Sequence, residues 1–385
     1  MSRKPILKLP PVYAITDRTV SGVDSHAGIA RRLLAVGVRC VQLREKTMPD
    51  GDLLAEADAI AELARGTRAL ALVNDRADVA LAAGLGVHLG EDDLPAAAAR
   101  AILPGGAAIG VSTHSPDAAR AAFEDPAPDY VAFGPVFESA TKPVRPARGL
   151  DALGEAARGR TKPLVAIGGI TPDRLDAVWD AGADSAAMVG GLLAGGRIEE
   201  NARRALDAAR RRSLAGRVYF VGFMGSGKTT VGRRIAERLG RPFVDVDTEI
   251  ERTSGRTVRA LFEESGEAAF REREAAFLRG TESLPDAVVA TGGGAFTLEE
   301  NRRVISRLGV PVLLDAPLAV VRARLSGKTD RPLFSSVEQL ESLFAARAPF
   351  YRMAAVRVQL TGSETVDETA DRVLLALEDR LEISG

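Results

Sequence analysis

The chain has one cysteine, three histidines and one tryptophan in 385 residues. A lone cysteine, Cys40, excludes an internal disulfide and a cysteine-based zinc cluster. It lies in the apolar run 38–43 and so reads as a small buried hydrophobe. His26, His88 and His114 are too few and too scattered for a three-histidine metal centre. Neither charge sign is in excess: 51 basic residues face 52 acidic ones, a formal net charge of −1. That balance gives no electrostatic footprint for nucleic acid or an anionic membrane. No segment approaches the roughly 18 unbroken apolar residues of a membrane-spanning helix, and residues 1–11 hold no apolar stretch of signal-peptide length. The expectation is a cytoplasmic protein with small-molecule partners. Its oligomeric state is not written in the sequence.

What is present is ordinary for a globular protein, 46% hydrophobic and 27% charged, in a chain too long for one core. The first half alternates short apolar runs with alanine-rich amphipathic stretches. Strands are predicted at 12–17, 38–45, 69–75, 86–90, 107–113, 130–136, 163–169 and 185–191. Eight strands alternating with helices over about 200 residues predict an α/β fold closed as a (β/α)8 TIM barrel; an open doubly wound sheet is the alternative. Residues 199–212 read as the last barrel helix, whose basic run Arg210–Arg212 is expected to be a solvated helix end. A short linker, 213–216, follows. The domain boundaries are therefore 1–212 and 213–385. The second domain has five predicted strands, 218–222, 242–245, 287–291, 310–315 and 356–360, with crossover helices. This pattern predicts a P-loop three-layer α/β kinase domain on a five-stranded parallel sheet.

The second domain opens with Gly222-Phe-Met-Gly-Ser-Gly-Lys228-Thr229, which fits G-x-x-x-x-G-K-[ST] between a strand and a helix. Glycines let backbone N–H groups turn toward phosphate oxygens, and the helix N-terminus adds its positive dipole end. The expected ATP-binding residues are Gly225, Ser226, Gly227, Lys228, Thr229 and Thr230. Lys228 would reach the β- and γ-phosphates and the Thr229 hydroxyl would ligate Mg²⁺. The third strand ends in Thr291-Gly-Gly-Gly294 with no carboxylate, so Asp245 of Asp245-Val-Asp247 is the expected metal-side acid. Further along stand Gly266-Glu-x-x-Phe270-Arg271-x-x-Glu274, Gly327-Lys-Thr-Asp-Arg331-Pro-Leu and Arg347-x-Pro349-x-Tyr351.

In order and spacing this set resembles shikimate kinase across nearly all of residues 217–360. The resemblance implies phosphorylation of shikimate by ATP to shikimate 3-phosphate. Asp247 would bind the shikimate hydroxyls and accept the proton of the attacking one. Arg271 and Arg347 would fork onto the carboxylate, and Gly293 and Gly294 would present backbone amides. Arg331 would close from a lid onto the phosphates and Arg324 would lie over the adenine. A kinase for another acidic sugar, such as gluconate, is the alternative.

In the first domain the polar residues fall at strand ends, where barrel active sites lie. They are Gln42, Arg44 and Lys46 after strand two, Asn74 and Asp75 after strand three, Asp93 after strand four and Ser112 and His114 after strand five. Ser139, Thr141 and Lys142 follow strand six, Gly169 ends strand seven, and Val189 and Gly190 end strand eight. Arg44, Lys46 and Lys142 supply positive charge for a polyphosphate. Asp75 and Asp93 suit a Mg²⁺ that shares its shell with phosphate. Backbone amides at Gly169 and Val189–Gly190 suit a second, simpler phosphate. A diphosphate with Mg²⁺ beside a monophosphate suggests displacement of pyrophosphate.

Over residues 12–207 this set resembles thiamine phosphate synthase. The resemblance implies that a hydroxymethylpyrimidine diphosphate joins a thiazole phosphate, giving thiamine phosphate and pyrophosphate. Gln42, Arg44, Lys46, Asn74, Ser112 and Lys142 would hold the pyrimidine diphosphate, with Lys142 also catalytic. Ser139, Thr141, Gly169, Val189 and Gly190 would hold the thiazole phosphate, and Asp75 and Asp93 the metal. In this chain the 83–86 segment is one residue short of the family pattern, which leaves Asp92 as an alternative to Asp93. Glu91 stands where glutamine is usual, Ser139 where threonine is, and Gly190 where serine is. His114 keeps a related thiazole tautomerase open, and a catalytically silent scaffold is the remaining alternative. The whole chain is thus read as a bifunctional enzyme with one Mg²⁺ site per domain and ATP as co-substrate.

Overall fold

The structure is a computed structural model that describes residues 6–138, 146–284, 286–326 and 337–384, with side chains described up to residue 380. It divides into two compact units, Met1–Arg210 and Arg211–Gly385.

The first unit is a closed barrel of eight parallel strands: β1 Val12–Ile15, β2 Cys40–Leu43, β3 Leu70–Asn74, β4 Gly86–Leu89, β5 Ile109–Thr113, β6 Tyr130–Phe133, β7 Leu164–Ile167 and β8 Ser185–Met188. Pairing of β1 with β8 closes it. Alternation along each strand sorts the side chains. Val12, Ala14, Val41 and Leu43 pack outward against the helices, while Tyr13, Ile15, Cys40 and Leu72 fill the interior. Both faces are covered, which is why these strands read as continuous apolar runs. Cys40 is buried in the barrel interior, as its apolar neighbours predict.

The second unit is a five-stranded parallel sheet in the order β10-β11-β9-β12-β13. The strands are β9 Arg217–Val221, β10 Phe243–Asp245, β11 Val288–Ala290, β12 Gly309–Asp315 and β13 Val356–Gln359. The central β9 feeds the glycine-rich loop, and helix Lys228–Leu239 follows. The first strand of the unit therefore sits between β11 and β12, where crossovers leave in opposite directions and open a crevice at the strand ends.

One expectation is corrected. Arg210 is not part of a solvated helix end: it is completely buried, with Nη1 3.3 Å from Asp207 Oδ1. The helix that carries it continues to Ser213. The short linker 213–216, between that helix and β9, is anchored. Leu214 is buried, and the Arg241 guanidinium donates to the carbonyls of both Leu214 and Gly216. A buried guanidinium requires acceptors, and Asp207, one turn earlier on the same helix, is one for Arg210. Among the described residues no helix is long and apolar enough to cross a membrane.

Candidate active sites

In the second unit the loop between β9 and helix Lys228–Leu239 turns through glycines with positive φ, 131° at Gly222, 76° at Gly225 and 105° at Gly227. Lys228 folds back over it, and its Nζ donates to the carbonyls of Gly222 and Phe223 at 2.9 Å each. The Thr229 hydroxyl donates to Asp245 Oδ2 at 2.7 Å. Asp245 also caps the next helix, accepting the Thr248 N–H through Oδ1 at 3.3 Å. Arg324 Nη1 reaches the carbonyls of Gly225 and Ser226 at 3.2 and 3.1 Å. Ser226 Oγ is buried with no hydrogen-bond partner.

Beside the loop lies a pocket of opposed charges. Helix Val258–Gly280 is broken at Gly266, and its second half carries Arg271 and Glu274 one turn apart on one face. Arg271 Nη1 donates to Glu274 Oε2 at 2.8 Å. A Cβ on Gly294 would meet Arg271 at 2.2 Å, and one on Gly293 would lie 3.7 Å from Arg347 Nη1. The two arginines thus flank adjacent glycines. Gly292 is the most confined of the three on the acidic side, since its Cβ would lie 2.3 Å from Glu274 Oε1 and 2.8 Å from Asp247 Oδ1. Tyr351, one turn beyond Arg347, donates its hydroxyl to the Gly293 carbonyl. Burial pushes the Tyr351 phenol up to about 12, so it stays a donor. Burial and the neighbouring Asp247 push the Glu274 carboxyl upward against the pull of Arg271 and Arg347. Glu274 Oε1 and Arg347 Nη1 are buried without hydrogen-bond partners.

In the first unit the mouth of the barrel gathers three charged groups. Lys46 Nζ lies 3.6 Å from Asp75 Oδ2. Asp93 hydrogen-bonds with Asp75 and accepts the Gly90 N–H at 2.6 Å. Burial opposes ionisation of Asp93, but these hydrogen bonds and the Lys46 charge hold its carboxyl below the usual range. Asp92 is exposed, so Asp93 is the residue that meets Asp75. Arg44 Nη1 stands 3.9 Å from Asp17 Oδ2. Beneath them runs a buried polar chain: Gln42 Nε2 donates to Tyr13 Oη at 2.7 Å, Tyr13 Oη meets Tyr130 Oη at 3.0 Å, and His88 bridges Tyr130 Oη and Ser112 Oγ at 2.9 Å each. Across the mouth, the backbone after β7 and β8 is tightly apposed. A Cβ on Gly169 would lie 2.2 Å from the Glu138 carbonyl, and one on Gly191 would lie 2.3 Å from that of Ile170. His114 donates through Nδ1 to the Gly134 carbonyl at 2.5 Å.

Both carboxylate groupings, Asp75 with Asp93 and Thr229 with Asp245, bring together oxygen ligands. That donor set fits a hard divalent cation completed by phosphate and water.

Comparison with known proteins separates along the same division. The thiamine monophosphate synthase family model matches residues 12–192, and the shikimate kinase family model matches residues 224–378. A thiamine-phosphate synthase of Methanoculleus marisnigri is 43% identical over 209 residues, 54% of this chain and 98% of that protein. A shikimate kinase of Ruegeria pomeroyi is 41% identical over 191 residues, 49% of this chain and 97% of that protein. One from Symbiobacterium thermophilum is 43% identical over 169 residues, 42% of this chain and 97% of that protein. The chain belongs to both families. It is an enzyme with a thiamine-phosphate synthase unit followed by a shikimate kinase unit.

Of the residues singled out in the synthase unit, Gln42, Arg44, Lys46, Asn74, Asp75, Asp93 and Ser112 lie at or just beyond strand ends, as do Gly169, Val189 and Gly190. In the kinase unit Gly225–Thr230, Asp245, Asp247, Arg271, Gly293, Gly294, Arg324 and Arg347 gather around the loop and the adjoining pocket. Ser139, Thr141, Lys142 and Arg331 lie outside the described residues. Sequence reasoning gives Glu274, Tyr351 and Gly292 of the kinase unit's motifs no role, weighs His88 only as a metal ligand, and does not single out Tyr13 and Tyr130 of the synthase unit. The i,i+3 step from Arg271 to Glu274 and the i,i+4 step from Arg347 to Tyr351 were available signals. The tyrosine pair was not, because Tyr13 and Tyr130 are 117 residues apart.

Proposed function

We propose that the kinase unit transfers the γ-phosphoryl group of ATP to the 3-hydroxyl of shikimate. The observation that carries this is the pair Arg271 and Arg347 flanking Gly293 and Gly294, with Asp247 at Gly292. Two guanidinium groups on one side suit a small carboxylate, and a carboxylate opposite suits hydroxyls. Asp247 orients the attacking hydroxyl and takes its proton. Lys228 exchanges its loop carbonyls for phosphate oxygens, and the backbone N–H groups of residues 225–230 cradle them. Thr229 and Asp245 would hold Mg²⁺, which when bound neutralises charge on the β- and γ-phosphates. Arg331 and Arg324 are assigned to the phosphates and the adenine. A coupled assay on the intact chain tests the reading: turnover with shikimate is expected, and turnover with gluconate alone would overturn it.

For the synthase unit we infer condensation of a hydroxymethylpyrimidine diphosphate with a thiazole phosphate, releasing pyrophosphate. Its carrying observation is the cluster of Lys46, Asp75 and Asp93 above a polar barrel interior. Arg44, Lys46 and Lys142 would bind the diphosphate and stabilise it as it leaves. Asp75 and Asp93 would hold Mg²⁺, which when bound supplies positive charge to the leaving group. Asn74, Gln42 and Ser112 would bind the pyrimidine. The amides at Gly169 and Val189–Gly190, with Ser139 and Thr141, would hold the thiazole phosphate. Formation of thiamine phosphate by the intact chain with Mg²⁺ tests this; its absence would favour a silent scaffold. The unit boundaries proposed for separate expression are 1–212 and 213–385. Small-molecule substrates and a cytoplasmic location complete the reading.

A further inference from the structure

Glu45 lies between Arg44 and Lys46 in sequence, yet its side chain is only 12% exposed. It turns inward and accepts from five donors. Oε1 takes the backbone N–H of Lys46 at 2.7 Å, that of Thr47 at 2.9 Å and the Thr47 hydroxyl at 3.1 Å. Oε2 takes Arg18 Nη2 at 3.0 Å and His26 Nε2–H at 3.3 Å. His26 is 1% exposed, and its Nδ1 lies 2.7 Å from the hydroxyl of Thr16, which is completely buried. Thr16 Oγ1 in turn accepts the Arg44 N–H at 3.3 Å. The bonds form a ring that starts at the Arg44 amide, passes through Thr16, His26 and Glu45, and returns to the Lys46 amide.

The ring fixes the backbone on both sides of Glu45 while leaving the heads of Arg44 and Lys46 at the barrel mouth, near Asp17 and Asp75. A carboxylate is the one side chain of this size that can close it. Every partner of both oxygens is a donor. A glutamine would turn an NH₂ group toward donors whichever way it was flipped. A buried charge with this many partners is costly to disturb and holds one geometry. We propose that Glu45, backed by His26 and Thr16, is the positioning residue of the diphosphate grip: it sets residues 44–47 so that Arg44 and Lys46 close on the diphosphate beside the carboxylate of Asp75. The proposal rests on the barrel binding a diphosphate.

The test uses the intact chain with Mg²⁺ and the variants E45Q, K46A and E45Q/K46A. E45Q should raise KM for the pyrimidine diphosphate about tenfold, the low end for partners that orient a binding group. KM for the thiazole phosphate and shikimate kinase turnover should stay unchanged. On the K46A background E45Q should add clearly less than it does alone, because the part of its effect exerted through Lys46 is gone and only the part through Arg44 remains. A KM for E45Q within about twofold of wild type, or effects that multiply in the double variant, would overturn the proposal. Calorimetric binding of pyrophosphate with Mg²⁺ needs no turnover and should weaken similarly in E45Q. Unchanged pyrophosphate affinity sinks the proposal, whereas an inactive wild type showing this dependence sinks only the assigned reaction. Should E45Q fail to fold, H26Q leaves the bonds to Lys46 and Thr47 intact. It should raise the same KM by a smaller factor that shrinks on the K46A background, and an unchanged KM in H26Q counts against the idea.

Discussion

The two units solve one problem, gripping anionic substrates, in opposite ways. In the synthase unit the described charged groups already answer one another: Lys46 with Asp75, Asp75 with Asp93, and Glu45 with five donors. Arg18 Nε and Ser185 Oγ are buried without partners there, but neither belongs to a residue assigned to substrate or metal, whereas the kinase unit keeps hydrogen-bonding capacity in reserve at the pocket itself. Ser226 Oγ, Glu274 Oε1 and Arg347 Nη1 are buried without partners, a state that costs free energy until something fills it. The first site is held ready by its own bonds, and the second is completed by its ligands.

The sharpest way to test the separateness of the two sites is a pair of single substitutions. Lys228→Met should lower shikimate phosphorylation by about a thousandfold or more, since it removes the charge that neutralises the transferring phosphate. Formation of thiamine phosphate should be untouched. Asp75→Ala should produce the mirror result. Cross-effects in parallel turnover assays would break the comparison.

A smaller effect sharpens the idea of reserve. Arg347→Ala should raise KM for shikimate by about 10- to 100-fold, the range for a charged hydrogen bond to a buried carboxylate. A change in KM for ATP of the same size would place Arg347 elsewhere. On the synthase side, Gly190 faces open space, with nothing within 4 Å of the point a Cβ would occupy. Gly190→Ser should therefore fit without strain and add a hydroxyl donor. KM for the thiazole phosphate should fall by about two- to tenfold, the worth of one added hydrogen bond.

The least effect concerns pH. The Glu364 carboxyl is lowered to about 2: burial works against its charge, but the N–H groups of Thr361 and Gly362 and the Thr361 hydroxyl outweigh it. Its contribution to stability is present above the ordinary carboxylate value and fades as pH falls from about 4.5 toward 2. Acid unfolding followed on the kinase unit should show this dependence weakened in Glu364→Gln.

Most strands of the described structure were legible as apolar runs, because buried parallel strands have no polar face to interrupt them; the edge strand β13, Val356-Arg-Val-Gln, instead alternates buried and exposed residues. Their ends were less so. The predicted strand 38–45 is observed as Cys40–Leu43, since Arg44 and Glu45 leave the ladder to bind other groups. Motif residues were legible where function needs a residue type at a fixed spacing, as in the loop at Gly222–Thr229. Glu45 and the tyrosine pair were not, because Arg18, His26 and the facing tyrosine are partners that only the fold brings near. Arg210 misled for the same reason: a basic run ending a helix gives no sign that packing encloses its first member.

Asp75 adopts φ 66°, in the left-handed region that an aspartate enters at some cost in backbone energy. Glycine would take the same turn without that penalty. Asp75→Gly should therefore relax the chain and abolish the chemistry together, so a screen for thermal stability alone would select against catalysis at this position.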